Sequence, residues 1–379
     1  MMETHQLFKK NETYNGFYAM LLVNRLQMLY FYLIMPNILI NPYMIWVLIA
    51  VGILSQLNLL LLSKWLLTRL SSNGYNGFVQ LFGKKLVRFL SFIGLFFILL
   101  KLSVITLGFS EIVQTFILPS TDTNFLVFFI LLLCFYIAGR GVEHTIRFVL
   151  ISFFCTFWMF TCFVCFVFPP IAQLSDLYPL IPMEWKVENW KAVFFILSSY
   201  SGPEFLVFLG PWLKTNNKTF RYLSYGNALT VVEYVFLFIA SLFYFGSNFL
   251  SKTHYPIINM GRYLQNPVFE RIDIMMLSFL LFNLVFAVSL FLLLFYGASK
   301  IAFGKMSKPT SGKGLLFSVF LIFIGMVLVN ELFWKSWEKQ NFLLNLQIIA
   351  GSISYFLVPL VIVLVLVMKK EAVKKHAST

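Results

Sequence analysis

Apolar residues fall along this chain in runs of about 20, the length an α-helix needs to cross the hydrocarbon core of a bilayer, with polar connections between them. The runs lie near 16–40, 43–67, 89–118, 123–139, 148–168, 192–213, 222–247, 274–299, 314–330 and 346–368. They predict an all-α polytopic membrane protein with ten transmembrane helices in one integral membrane domain. One run is interrupted. Within 192–213 stands Ser198-Ser199-Tyr200-Ser201-Gly202-Pro203-Glu204-Phe205. The proline removes a backbone donor and disfavours helix in the residue before it. A helix broken at Ser201-Gly202-Pro203 is therefore expected. Irregular backbone and a carboxylate at membrane depth are tolerated where they line a cavity or are buried in protein, and in transporter folds that place is the substrate site.

Composition agrees with the run lengths. Hydrophobic residues make up 60% of the chain and charged residues 12%, with 46 phenylalanines among 379 residues, outside the range of soluble domains. The net charge of +14 is explained by topology rather than by nucleic-acid binding. Lysine and arginine cluster on alternate connections: Lys9 and Lys10, Lys64 to Arg88, Arg140 and Arg147, Lys214 to Arg221, Lys300 to Lys313, and Lys369 to Lys375. The other connections are diluted by acids such as Asp176, Glu184 and Asp273. The basic side is cytoplasmic, which places both termini inside. The polar first fifteen residues lead into an apolar run without a small-residue cleavage site, so the first helix is expected to be retained. The four cysteines lie in apolar runs, and Cys162 and Cys165 read as packing residues. Neither a metal-ligand cluster, a phosphate loop nor a catalytic triad is legible, so no enzyme activity and no cofactor are expected.

Ten spans divide into two oppositely oriented halves of five: 1–168 with the N-terminal tail, an outer connection 169–191, and 192–379 with a basic C-terminal tail. The first span should then be interrupted like the sixth. It carries Asn24, Arg25 and Gln27, and further out Pro36-Asn37, which marks it as polar and broken at the proline. Two outer connections are long: Phe168 to Trp190 reads as an interfacial cap, and Phe249 to Asp273 holds Tyr255-Pro256 and Pro267 to Asp273, expected to form a short helix across the outer mouth.

Five ionisable residues fall within apolar runs: Arg25, Lys101, Glu111, Glu204 and Glu233. A lone charge at a helix centre costs on the order of 3 kcal/mol, so partners are expected. Lys101 is assigned to Glu204, Glu233 to a structural role, and Arg25 to snorkelling toward the inner interface. Glu204 has two readings, as part of a ligand site or as a carboxylate that fixes the broken helix. Helix N-terminal N–H groups point into such a break. A ligand's anionic group is placed near residues 201 to 204 and its side chain near the first and third spans. The candidate ligand-binding residues are Tyr30, Phe31, Lys101, Tyr200, Ser201, Gly202, Pro203 and Glu204. Gly202 either keeps this space open or permits close packing of helices.

Ser201-Gly202-Pro203-Glu204 with Phe208-Leu209 and Pro211, Leu118-Pro119-Ser120-Thr121, Arg140-Gly141-Val142-Glu143 with Arg147, and Tyr255-Pro256 with Phe269-Glu270-Arg271-Ile272-Asp273 occur in this order over nearly the whole chain. Together they resemble the B subunit of nutrient germinant receptors of endospore-forming bacteria. That family is similar to the amino acid–polyamine–organocation superfamily. The resemblance implies the LeuT-like five-plus-five inverted repeat with broken helices 1 and 6. It also implies a subunit of the spore inner membrane that binds a small germinant, an amino acid or sugar, alongside an A subunit and a lipoprotein C subunit. The family's first span usually carries glycine shortly before the proline, where this chain has Leu29 to Met35, a bulky stretch that would shrink the pocket. A proton- or sodium-coupled transporter of the same superfamily is the alternative reading.

Overall fold

The structure is a computed structural model that describes residues 7–169, 171–182, 184–185, 187–264, 271–306 and 309–377. It is all-helical, and the described residues contain no strand, only an isolated parallel bridge between Tyr14 and Leu213. The first apolar run forms α1 (Gly16–Gln27) and α2 (Phe31–Leu39), which meet at an angle of 54°. The break therefore lies at Met28-Leu29-Tyr30 and not at Pro36, which sits inside α2. The reason is distant in sequence. Asn283 donates its amide to the Met28 carbonyl, and the Tyr234 hydroxyl lies 2.6 Å from the Gln27 carbonyl, so other spans satisfy the backbone that the break exposes.

Next come α3 (Met44–Leu66), the short α4 (Arg69–Ser72) and α5 (Tyr75–Phe82), α6 (Lys84–Phe116), α7 (Thr123–Ala138) and α8 (Val142–Phe163). The sixth apolar run begins as α9 (Val187–Ser199) and is interrupted as expected. Beyond Tyr200-Ser201-Gly202 the chain continues as two 3₁₀ stretches, Pro203–Phe208 and Gly210–Trp212, rather than as a second α-helix. Two prolines at the starts of these stretches, Pro203 and Pro211, explain why no i to i−4 ladder is built there. The remaining elements are α10 (Thr219–Leu250), α11 (Pro256–Tyr263), α12 (Ile272–Ala302), α13 (Gly312–Val329) and α14 (Trp337–Ala377). Local chemistry sets several starts: Asn15, Asp122 and Ser311 each accept a backbone N–H at the head of α1, α7 and α13.

Among the described residues seven helices, α3, α6, α8, α10, α12, α13 and α14, are long and apolar enough to cross a membrane, and the bent α1–α2 pair makes eight. The chain is a multi-pass integral membrane protein. Helix α12 is its hub: 72% of its apolar window is buried, against 28% for α8 and α13, and it packs on α6, α7 and α8. The broken segments lie inside this frame, α1 against α10 and α8, and α9 against α14, α2 and α3.

A short helix is present in the Phe249 to Asp273 connection as α11, packed on α12, α2 and α10, with Pro256 in its first turn. Pro267 to Glu270 lie outside the described residues. On the basic side, residues 7–14 form a strap. Leu7 receives the Val142 N–H at 3.0 Å and donates its own to Thr310 at 3.1 Å. Glu143 accepts the Asn11 and Glu12 N–H groups. Tyr14 pairs with the end of the second 3₁₀ stretch, donating to the Trp212 carbonyl and accepting from the Lys214 N–H, both at 2.7 Å.

Candidate functional site

The site begins with Gly202. Its φ of 151° lies in the region that favours glycine, and a Cβ there would run into the carbonyl of Leu26. The two broken segments thus meet backbone to backbone. Of the two readings of Gly202, close approach is the one the geometry carries, and a leucine there could not be accommodated without moving α1.

Glu204 turns back onto the break. Its carboxylate accepts the Gly202 N–H at 2.5 Å and the Ser201 hydroxyl at 2.6 Å. Lys101, from the middle of α6, donates to the Ser201 carbonyl at 2.8 Å and to the Ser201 hydroxyl at 2.9 Å. Its ammonium lies 4.0 Å from Glu204 and faces the rings of Phe205 and Phe291 at 5.5 and 5.8 Å. The pair expected from the sequence is therefore present, with the Ser201 hydroxyl between its members. Attraction at that distance is on the order of 4 kcal/mol at an effective dielectric of about 20, enough to offset part of the burial of both charges. What the break presents is a fixed carbonyl, hydroxyl and ammonium, not a ring of free helix N–H groups.

Between the two breaks lies a cavity of about 20 Å³, bordered by Gln27, Tyr30, Phe31, Lys101, Ser198 and Ser201. Roughly 10–15 Å³ holds one water, so in this closed arrangement the space is that of a water rather than of an amino acid. Of the eight candidates, Tyr30, Phe31, Lys101 and Ser201 border the cavity, and Tyr200, Gly202, Pro203 and Glu204 do not. The Tyr200 ring packs against Tyr234 with centroids 5.3 Å apart. Sequence reasoning missed Gln27, Ser198 and Gln347 as cavity residues. Gln27 stands in the polar stretch Asn24-Arg25-Leu26-Gln27 within the first apolar run and Gln347 at the start of the last, and that polarity was the signal available. Gln27 donates to Asn227 at 3.0 Å and to the Tyr200 carbonyl at 3.3 Å, while its Oε1 is buried without a partner. A second cavity of about 20 Å³ lies on the other side of Leu29 and Tyr30, beside Leu33, Phe109, Leu280 and Leu284.

The remaining intramembrane charges are also paired. Arg25 does not snorkel: it is fully buried, 2.8 Å from Glu233, with further bonds to Asn24 and Thr156 and with Phe153 across its face. Its neighbour Asn24 donates to Glu233 at 2.7 Å, so a carboxylate one helix away captures the guanidinium. Near the head of α11, Tyr30 neighbours Tyr255, and Tyr255 neighbours Glu111. Glu111 accepts Trp334 Nε1 and Gln340 Nε2, each at 2.8 Å. Among the described residues no three His, Cys, Asp or Glu side chains converge as metal ligands.

Comparison with known proteins adds to this geometry. A family model described as spore germination protein matches residues 19–331. "Spore germination protein GerQB" of Bacillus cereus is 25% identical to this chain over 219 residues, which is 56% of this chain and 60% of the relative. The match thus spans less than two thirds of that relative's length.

Proposed function

The chain belongs to the family of spore germination proteins, and from that membership we propose that it is the membrane subunit of a nutrient germinant receptor that binds a small germinant and passes a change of shape to its partners. The observation that carries this reading is the cavity between the two breaks, bordered by Lys101 and Ser201 in a bilayer-spanning bundle. The germinant is an amino acid or a sugar, and the partners are an A subunit and a lipoprotein C subunit. The protein sits in the spore inner membrane, with ten spans in a LeuT-like five-plus-five repeat and both termini cytoplasmic. Interruptions in the first and sixth apolar runs support that arrangement.

Lys101, Ser201, Tyr30 and Phe31 form the ligand-facing set. Tyr200, Gly202, Pro203 and Glu204 hold the break in shape behind them. A transporter would have to open its inner side at every cycle. The strap of residues 7–14, bonded to α8, to Thr310 and to the broken sixth segment, opposes that and supports the receptor reading.

The test is thermal unfolding of the purified protein with amino acids, sugars and nucleosides, because a ligand that binds only the native state raises stability by mass action. At least one compound is expected to raise Tm by several degrees at saturation, and Lys101→Met is expected to remove that rise. Uptake of the stabilising compound into proteoliposomes by the protein alone would replace the receptor reading with transport.

A further inference from the structure

The two cavities share a wall. Leu29, Tyr30 and Ile105 border both, and the chemistry on the two sides differs. On the first side are Lys101, Ser201 and Gln27, a residue 1% exposed whose Oε1 is buried without a partner. An acceptor buried without a donor costs about 1–3 kcal/mol, which a ligand N–H would recover. On the second side are Leu33, Phe109, Leu280 and Leu284. Its one amide, Asn283, is engaged by the Met28 carbonyl and by Ser152. Tyr32 also borders that compartment, whose remaining side chains are chiefly apolar.

Tyr30 cannot withdraw toward α6, because its ring lies against Gly108, where even a Cβ would come within 2.5 Å of it. On its other side Tyr255 is a neighbour. The ring is therefore a fixed partition between a polar and an apolar space.

We propose that the two cavities are compartments of one binding site for a small zwitterionic ligand with an apolar tail, in which the head meets Gln27, Lys101 and Ser201 and Tyr30 sets the permitted tail length. This rests on the receptor reading. The carboxylate of such a head faces the Lys101 ammonium, and its ammonium faces Gln27 Oε1. With Tyr30 in place only the shortest tails fit. With its ring removed, the tail reaches Leu280 and Leu284 on α12.

The experiment measures the concentration dependence of thermal stabilisation by glycine, L-alanine, L-norvaline and L-norleucine, with the full-length protein in detergent. Wild type is expected to respond best to the shorter members. Tyr30→Ala is expected to reverse the order, gaining about fourfold in affinity per added methylene, the equivalent of about 0.8 kcal/mol of buried CH₂. Leu284→Phe on the Tyr30→Ala background should cancel the gain. Leu284→Phe alone should leave the wild-type response to all four compounds unchanged, because the Tyr30 ring keeps tails from that side; a weakened response to the longer tails there would overturn the partition even if Tyr30→Ala folds poorly. The same length preference in Tyr30→Ala as in wild type would overturn the partition while leaving the receptor reading intact. Undiminished stabilisation of Lys101→Met would show instead that the head lies elsewhere and that the reading of the site is wrong. Absence of stabilisation by all four compounds in both proteins would sink the zwitterionic ligand.

Discussion

Arg25 with Glu233 and Lys101 with Glu204 are both cation–carboxylate pairs buried at membrane depth, yet they are built for different ends. The first is direct, at 2.8 Å, and Asn24 and Thr156 take up further donors of the guanidinium. Neither Arg25 nor Glu233 borders either cavity. The second pair is held apart at 4.0 Å, each member bonds one backbone group of the break and the Ser201 hydroxyl, and Lys101 borders the cavity. A saturated pair behaves as a strut between α1 and α10. A pair bonded through one serine is open to competition from a ligand. The difference lies in what else each charge touches, and charge count alone would have made the two alike.

The comparison breaks most readily at the strut. Arg25→Met is expected to cost about 3–5 kcal/mol by leaving Glu233 buried and unpaired, read as loss of monodisperse folded protein. The double variant Arg25→Met with Glu233→Met should recover most of it. Recovery of nothing would mean that Arg25 is held by Asn24 and Thr156 rather than by its counter-charge. Gly202→Ala should cost about 1–3 kcal/mol, since the backbone there is strained for any other residue and Leu26 blocks the Cβ. A melting temperature equal to wild type would remove the close approach of the two breaks from the account.

Lys101→Met should cost less than Arg25→Met, about 1–3 kcal/mol, because Glu204 keeps its bonds to Gly202 and Ser201. In a double-mutant cycle with Glu204→Gln, a coupling of about 1 kcal/mol is expected, and strict additivity would show that the two charges do not interact. The smallest effect is Tyr255→Phe, about 0.5–1.5 kcal/mol, which removes the hydroxyl that neighbours Tyr30 and Glu111 without touching either pair. It should shift Tm by a few degrees at most and speed amide hydrogen exchange in α11.

The helices were legible because run length and apolarity are local properties that a bilayer makes obligatory. The break at Ser201-Gly202-Pro203 was legible for the same reason: proline and glycine act on their own backbone. Its counterpart at Met28-Leu29-Tyr30 was not, because the groups that hold it, Tyr234 and Asn283, stand more than 200 residues away and the proline nearby is tolerated inside α2. Arg25 was misplaced by an argument from depth alone, when a carboxylate on α10 decided its position. In the candidate site, Lys101 and Ser201 were found and Gln27 and Gln347 were not. In irregular backbone, successive side chains leave in unrelated directions. Tyr200 and Glu204 therefore flank Ser201 in the chain yet face away from the space it borders.

The strap of residues 7–14 has a consequence for how the molecule is made. These residues leave the ribosome well before their partners: Val142 and Glu143, then Trp212 and Lys214, and last Thr310. Contacts of such long sequence separation form late, after the loop-closing entropy has been met by other contacts. The tail therefore waits through most of translation and insertion, and its docking registers that the eighth apolar run has already been threaded and turned. A segment synthesised before all of its partners becomes the last to be fastened, so a chain stalled or misthreaded before residue 310 keeps a free, basic tail.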